Sequence, residues 1–276
     1  MSEYQYVVFR AIDGPVSEKN LAFMQRQSSH AEVAPWSFSS EYHHGDFHGK
    51  AAEMLNRGYD FHLHYANFGT RKLMIRLPNG LPDPKAAKPY FSDEAISFKK
   101  HGQGGILCFD PGFEAGQLDE VWNVDEVVDR LLPLRREIMD GDLRPLYLAY
   151  LGVAGDMNHD PEEEKEPPVP AGLAKLTKAQ RALAEFYGLD DGLIAVAARN
   201  SPALPKRAQS EGQHLRWLEL QPEAAKNAWL AELMADPDSA VPRKILAEFQ
   251  RSQAPGSWPT VRVDRTIAEL MAAGRT

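Results

Sequence analysis

Phe61-His62-Leu63-His64-Tyr65-Ala66-Asn67-Phe68-Gly69-Thr70-Arg71-Lys72-Leu73-Met74-Ile75-Arg76-Leu77-Pro78 is the stretch that decides the fold of this chain. Its first part continues an apolar stripe that starts upstream, with Met54, Gly58, Phe61 and Tyr65 in line and Leu55, Tyr59, His62 and Ala66 beside it, so the spacing predicts a helix over 50–68. Gly69 then reads as the helix terminator. Leu73, Ile75 and Leu77 alternate with Lys72, Met74 and Arg76 as in a strand, and Pro78 stops it.

Upstream, Tyr4 to Ile12 is aromatic and β-branched and ends in Asp13-Gly14-Pro15, a strand followed by a turn. Ser17 is placed to cap a helix through about Gln27, with Leu21 and Met24 on its apolar side. Val33, Trp36, Phe38 and Tyr42 mark a second strand within 32–42, with Pro35 near an edge or delaying its start. The order β-α-β-α-β within about eighty residues predicts an α+β domain, a ferredoxin-like or related two-layer sandwich with its helices on one sheet face. Two further strands, at 96–100 and 105–109 around Gly102-Gln103-Gly104, extend the sheet and bound this domain at about residue 118.

Beyond the sheet the pattern is helical. Residues 119–155 form a helical connection interrupted at Pro133, with a buried helix over 143–153. Residues 156–170 alternate Glu162, Glu163, Glu164 and Glu166 with Pro161, Pro167, Pro168 and Pro170, and read as an exposed acidic linker. Residues 171–276 read as a helical domain with Leu218, Trp229, Leu230, Leu233, Ile245, Leu246 and Phe249 as its core.

Composition bounds the function classes. Hydrophobic residues make up 43% and charged residues 25%, values typical of globular domains and far from disordered ones. No apolar run reaches the length of a membrane span, and Met1 to Arg10 lacks the basic-then-apolar pattern of a secretory signal. With Cys108 as its single cysteine the chain forms no internal disulfide, which agrees with a reducing compartment and a cytoplasmic address. The net charge of −8 is concentrated: residues 111–170 carry 15 acids against 5 bases, whereas 1–110 balance at 12 and 12. Such a block repels phosphates and argues against nucleic-acid binding, although the neutral N-terminal half holds room for a local basic patch such as Arg71, Lys72 and Arg76, which a strand edge protected by charge would also explain.

Five of nine histidines fall between His43 and His64. In a helix His62 and His64 diverge, and so do His43 and His44 in a strand, which leaves His44, Asp46 and His48 in a Gly-flanked loop as the compact trio able to ligate a metal. Gly45 to Lys50 approaches a phosphate loop but is one residue short between its glycines and has Ala51 where Ser or Thr would hold Mg²⁺. Gly102 to Gly105 precedes a strand, the wrong context for a dinucleotide fingerprint. Cys108 sits in Ile106-Leu107-Cys108-Phe109, where a small buried hydrophobe is expected, and the acids from Asp119 to Asp129 read as a solvated helix start.

Three runs carry a resemblance: Tyr4-Gln5-Tyr6 through Ala11-Ile12-Asp13, Tyr65-Ala66-Asn67-Phe68-Gly69-Thr70-Arg71 through Pro78, and Leu132-Pro133-Leu134-Arg135 through Leu151. Over these runs, about a fifth of its length, the chain resembles a group of uncharacterised bacterial proteins. The resemblance implies a bacterial cytosolic origin and no activity. It also implies apolar residues at the positions of His62 and His64, which speaks against a metal there.

The leading expectation is a non-catalytic adaptor that binds a protein partner and needs no cofactor; about a small-molecule ligand the sequence is silent. One alternative is a metal-dependent hydrolase using His44, Asp46 and His48. Another is an RNA-associated protein that stacks bases on Tyr6 or Trp36 of an open sheet face.

Overall fold

The computed structural model describes residues 3–92, 95–154, 161–204, 212–236, 241–252 and 258–275. The chain forms two compact units: residues 1–204 with 255–276, and residues 205–254.

The first unit has the expected α+β architecture. Its elements begin with β1 (Gln5–Arg10), α1 (Glu18–Gln25), β2 (Glu32–Val33), β3 (Ser37–Tyr42), α2 (Ala51–Arg57), β4 (Phe61–Ala66) and β5 (Arg71–Leu77). A short helix α3 (Pro84–Ala87) precedes the hairpin of β6 (Ile96–His101) and β7 (Gly104–Phe109). Helices α4 (Val124–Leu131), α5 (Pro133–Met139) and α6 (Arg144–Ala154) follow, then β8 (Val169–Pro170), α7 (Lys178–Phe186) and α8 (Asp191–Ala198). Pro133 restarts the helix as expected, its missing N–H being harmless at a first helical position. Seven strands make one antiparallel sheet in the order β2-β3-β1-β4-β5-β7-β6.

The stretch quoted first is where the sequence misleads. The helix predicted over 50–68 stops at Arg57, because Gly58 takes φ +154°. Residues 61–66 are strand β4, paired with β1 on one side and β5 on the other. His62 and His64 therefore lie on one sheet face, not on opposite sides of a helix. As a central strand β4 is covered on both faces, so its sequence lacks the polar alternation that marks a half-exposed strand. Gly69 ends no helix; at φ +118° it shapes the turn between β4 and β5, where a Cβ would lie 2.1 Å from the Phe113 carbonyl oxygen.

Two cores flank the sheet. Val7, Phe9, Phe38 and Met74 face Met24 of α1 and Met54 and Leu55 of α2. Tyr6, Val8, Phe61, Leu63, Leu73 and Leu107 face Val128 of α4, Leu134 of α5 and Leu148 of α6. The pair of early helices thus takes one face, as expected, and the following helices take the other. Each fully buried Leu, Ile or Phe contributes about 1.5–3 kcal/mol to holding these layers.

The expected linker over 156–170 differs from what is found. Residues 156–160 lie outside the described residues. Glu162 and Glu163 are exposed, but Glu166 is buried, accepts a hydrogen bond from the Tyr147 hydroxyl at 2.6 Å and pairs with Arg265 at 2.5 Å. Val169 and Pro170 form β8 against β9 (Thr260–Val261), and α12 (Ile267–Gly274) packs on α8. Residues 171–204 and 258–275, expected within a separate helical domain, thereby belong with the sheet.

The second unit contains α9 (Gln213–Glu219), α10 (Glu223–Ala235) and α11 (Val241–Ser252). Trp217 stacks on Trp229 with ring centroids 5.9 Å apart and meets Phe249 edge-on at 5.6 Å. Leu230 and Leu246, expected in this core, are exposed; Trp217, on the helix that the sequence pattern did not reveal, is buried instead. Among the described residues no helix is long and apolar enough to cross a membrane.

Candidate functional site

The histidine loop is tied down by hydrogen bonds. Phe47 packs against Phe9 and Phe38 and anchors the loop, while His43, His44, Asp46 and His48 stay exposed. Gln5 on β1 donates to Asp46 Oδ1 at 2.7 Å and to the Gly45 carbonyl at 3.0 Å, and its Oε1 meets His64 Nε2 at 2.8 Å. Asp46 thus serves Gln5. Among the described residues no group of three His, Cys, Asp or Glu side chains could hold a metal ion, so His44, Asp46 and His48 are not brought together.

His62 stacks on Phe9 at 4.1 Å and its Nδ1 lies 3.1 Å from the Val8 carbonyl. Burial, reinforced by His64 and Lys72, pushes its pKa down to about 3, so the ring is neutral near pH 7. Burial likewise lowers His64. Both rings fill the face of β4 toward α2, where the sequence alternation His62, His64 would have shown them had the segment been read as a strand.

The basic patch disperses. Lys72 pairs with Asp110 at 2.6 Å, Arg76 with buried Asp60, and Arg71 is buried. Tyr6 is buried with its hydroxyl on Asp125 Oδ2 at 2.7 Å, so it offers no stacking platform for a base; Trp36 is 43% exposed. Asp125, placed at the helix start, also pairs with Arg10 at 2.5 Å. Burial raises the Cys108 thiol to about 11, which removes its nucleophilic form at neutral pH.

The surface that departs most from ordinary globular behaviour is α10. Its half-buried side carries Ala225, Trp229 and Leu233, against which Trp217 packs. Its outer side carries Ala224, Ala228, Ala231 and Ala235, all exposed, with Leu230 and Met234 also exposed, at 59% and 85%, further round the helix past Asn227. A solvent-facing helix normally sets a charged face opposite its apolar one; α10 instead leaves an apolar stripe in solvent between exposed Asn227 and Glu232, as a stripe that something covers would be. The signal was legible as alanines at positions i, i+4, i+7 and i+11.

In comparisons with known proteins, no family model, curated protein or solved structure matches the chain.

Proposed function

We propose that this chain is a non-catalytic interaction component of the bacterial cytosol that binds protein through α10, and that the partner its face fits is a second copy of the chain. The observation that carries the reading is the exposed alanine stripe of α10, Ala224, Ala228, Ala231 and Ala235, on a helix with no buried residue in thirteen.

The self-partner follows from symmetry. Set antiparallel about the midpoint between Trp229 and Leu230, the outer stripe maps onto itself: Ala224 falls opposite Ala235, and Ala228 opposite Ala231. An isologous contact requires this self-complementarity. Small side chains let two helix axes approach to about 8 Å, with Asn227 and Glu232 at the edges of the seam. Antiparallel packing also sets the positive end of each helix dipole beside the negative end of the other. Lys226, half-buried, pairs with Glu223 at 3.4 Å, and Lys244 reaches Glu232 at 3.1 Å, so neither cation breaks the stripe.

The test is the double variant Ala228→Glu/Ala231→Glu, at the centre of the stripe, compared with the unaltered chain by sedimentation velocity. Loss of a concentration-dependent association, with the thermal midpoint unchanged, is the expected result. A variant that sediments as the unaltered chain does at every concentration overturns the reading.

A further inference from the structure

Among the described residues three arginines are buried: Arg71, Arg135 and Arg144, at 5%, 4% and 3% exposure. Arg135 meets the carboxylates of Asp13 and Asp60, and Arg144 meets Asp142 at 2.6 Å. Arg71 differs. Its two hydrogen bonds go to the backbone carbonyls of Phe186 and Asp119, and among the described residues no carboxylate lies within ion-pair distance. A guanidinium has five N–H donors, so three are left over. Burying a charge without a counter-charge costs several kcal/mol per ion, and the flanking rings of Tyr65 and Phe186, 5.9 and 5.2 Å from its centre, offset only part of that.

This unpaired cation lines a cleft of about 410 Å³ between the start of β5, the 117–121 segment, α4 and α7. The volume lies within the range of small-molecule sites, about 300–1,000 Å³. Leu118, Val121 and Val127 supply apolar wall. Five charged side chains share the lining: Arg71 and Arg130 against Asp119, Glu120 and Glu185, with Arg130 already paired to Glu185. What remains is one deep cation and two exposed acids. A dianion such as phosphate would meet those acids as like charges, whereas a ligand with both signs would meet each with its opposite.

We propose that this cleft binds a small zwitterion of the amino-acid class, its carboxylate on Arg71, its ammonium toward Asp119 and Glu120, and its side chain on Leu118, Val121 and Val127. Arg71 is suited to the first task because its planar fork grips a carboxylate with two parallel hydrogen bonds. The cleft lies wholly within the sheet-bearing unit, so the inference stands apart from the pairing of α10.

The experiment is calorimetric titration of the full chain with each of the twenty amino acids, with acetate and with inorganic phosphate, at up to about 10 mM. At least one amino acid binds at least tenfold more tightly than acetate or phosphate, and Arg71→Gln abolishes that binding. Because Arg71→Gln risks the fold, a second variant, Asp119→Asn/Glu120→Gln, alters only exposed side chains; it weakens the amino acid at least tenfold and leaves acetate unchanged. The proposal is overturned if no amino acid binds, if phosphate binds as well as the best of them, or if either variant, folded, binds it as the unaltered chain does.

Discussion

Arg135 of α5 and Asp60 at the entry to β4 meet at 3.2 Å, and this contact ties the helical layer to the sheet. Asp60 is fully buried and also accepts from the backbone N–H groups of Ile12 at 2.6 Å and Asp13 at 2.9 Å, while Arg135 holds both oxygens of Asp13 at 2.8 and 2.5 Å. Two arginines and two aspartates thus fix the strand-to-helix turn after β1 against α5. Asp60→Ala removes the nearest carboxylate of Arg76 and one of the two carboxylates on Arg135, and lowers stability by about 3–5 kcal/mol. Arg136→Ala, which breaks an i,i+4 pair between exposed Arg136 and half-buried Asp140, costs about 0.5 kcal/mol or less. Urea denaturation of both variants measures the contrast.

The same cluster sets an acid limit. Burial works against the charged form of Asp13, but Arg135 and Arg76 outweigh it and hold the carboxyl below its ordinary value of 3.8. A depressed carboxylate contributes stability that is present above the unfolded pKa and is lost as pH falls through the lowered one.

His62 acts in a higher window. Its folded pKa of about 3 lies far below the ordinary 6.5, so the unfolded chain binds the proton first and stability falls as pH drops from 6.5 toward 3. The slope from this one residue approaches about 1.4 kcal/mol per pH unit. His62→Gln, which keeps a donor for the Val8 carbonyl and removes the titration, flattens the stability profile between pH 6 and about 4 by that slope. An unchanged slope in equilibrium unfolding would show that the ring titrates normally.

Glu166 and Arg265 join the expected linker to the C-terminal segment. Arg265→Met strands a carboxylate that is buried apart from its bonds to Tyr147 and Arg265, and destabilises the fold by about 3 kcal/mol. Glu162→Gln/Glu163→Gln, on exposed neighbours, stays within about 0.5 kcal/mol of the unaltered chain. Thermal unfolding distinguishes the two.

Cys108 should resist alkylation. With its thiol raised to about 11 by burial, iodoacetamide modification near pH 8 is slow in the folded chain and speeds up on unfolding in urea. Equal rates in both states would place the thiol at the surface.

Much of this architecture was legible from residue patterns, and the exceptions have physical causes. β1, β5 and the β6–β7 hairpin announced themselves because one side of each alternates or a Gly pair marks the turn. β4 did not, since burial on both faces erases the period of two and lets Phe61 and Tyr65 mimic a helical stripe. The 161–170 segment looked like a linker because glutamate and proline usually signal solvent; the partners of Glu166 lie 19 and 99 residues away, beyond any local pattern. Arg71 was visible as a cation within a basic run, but that, among the described residues, Lys72 and Arg76 acquire carboxylates while Arg71 does not is a property of tertiary packing alone. The loop histidines drew attention by density, yet spacing in sequence set no convergence in space.

The pairing of α10 with its copy is tested most directly by nitroxide labels at Ala224→Cys, in a Cys108→Ser background, read by dipolar electron spin resonance. An antiparallel pair centred between Trp229 and Leu230 puts the two labelled backbones about 16 Å apart along the axis at 1.5 Å per residue, and about 20 Å apart once an axis separation of 8–10 Å is included. A distance distribution centred there is the predicted result. Absence of dipolar coupling at high protein concentration, or a separation close to the axis spacing alone, would contradict it.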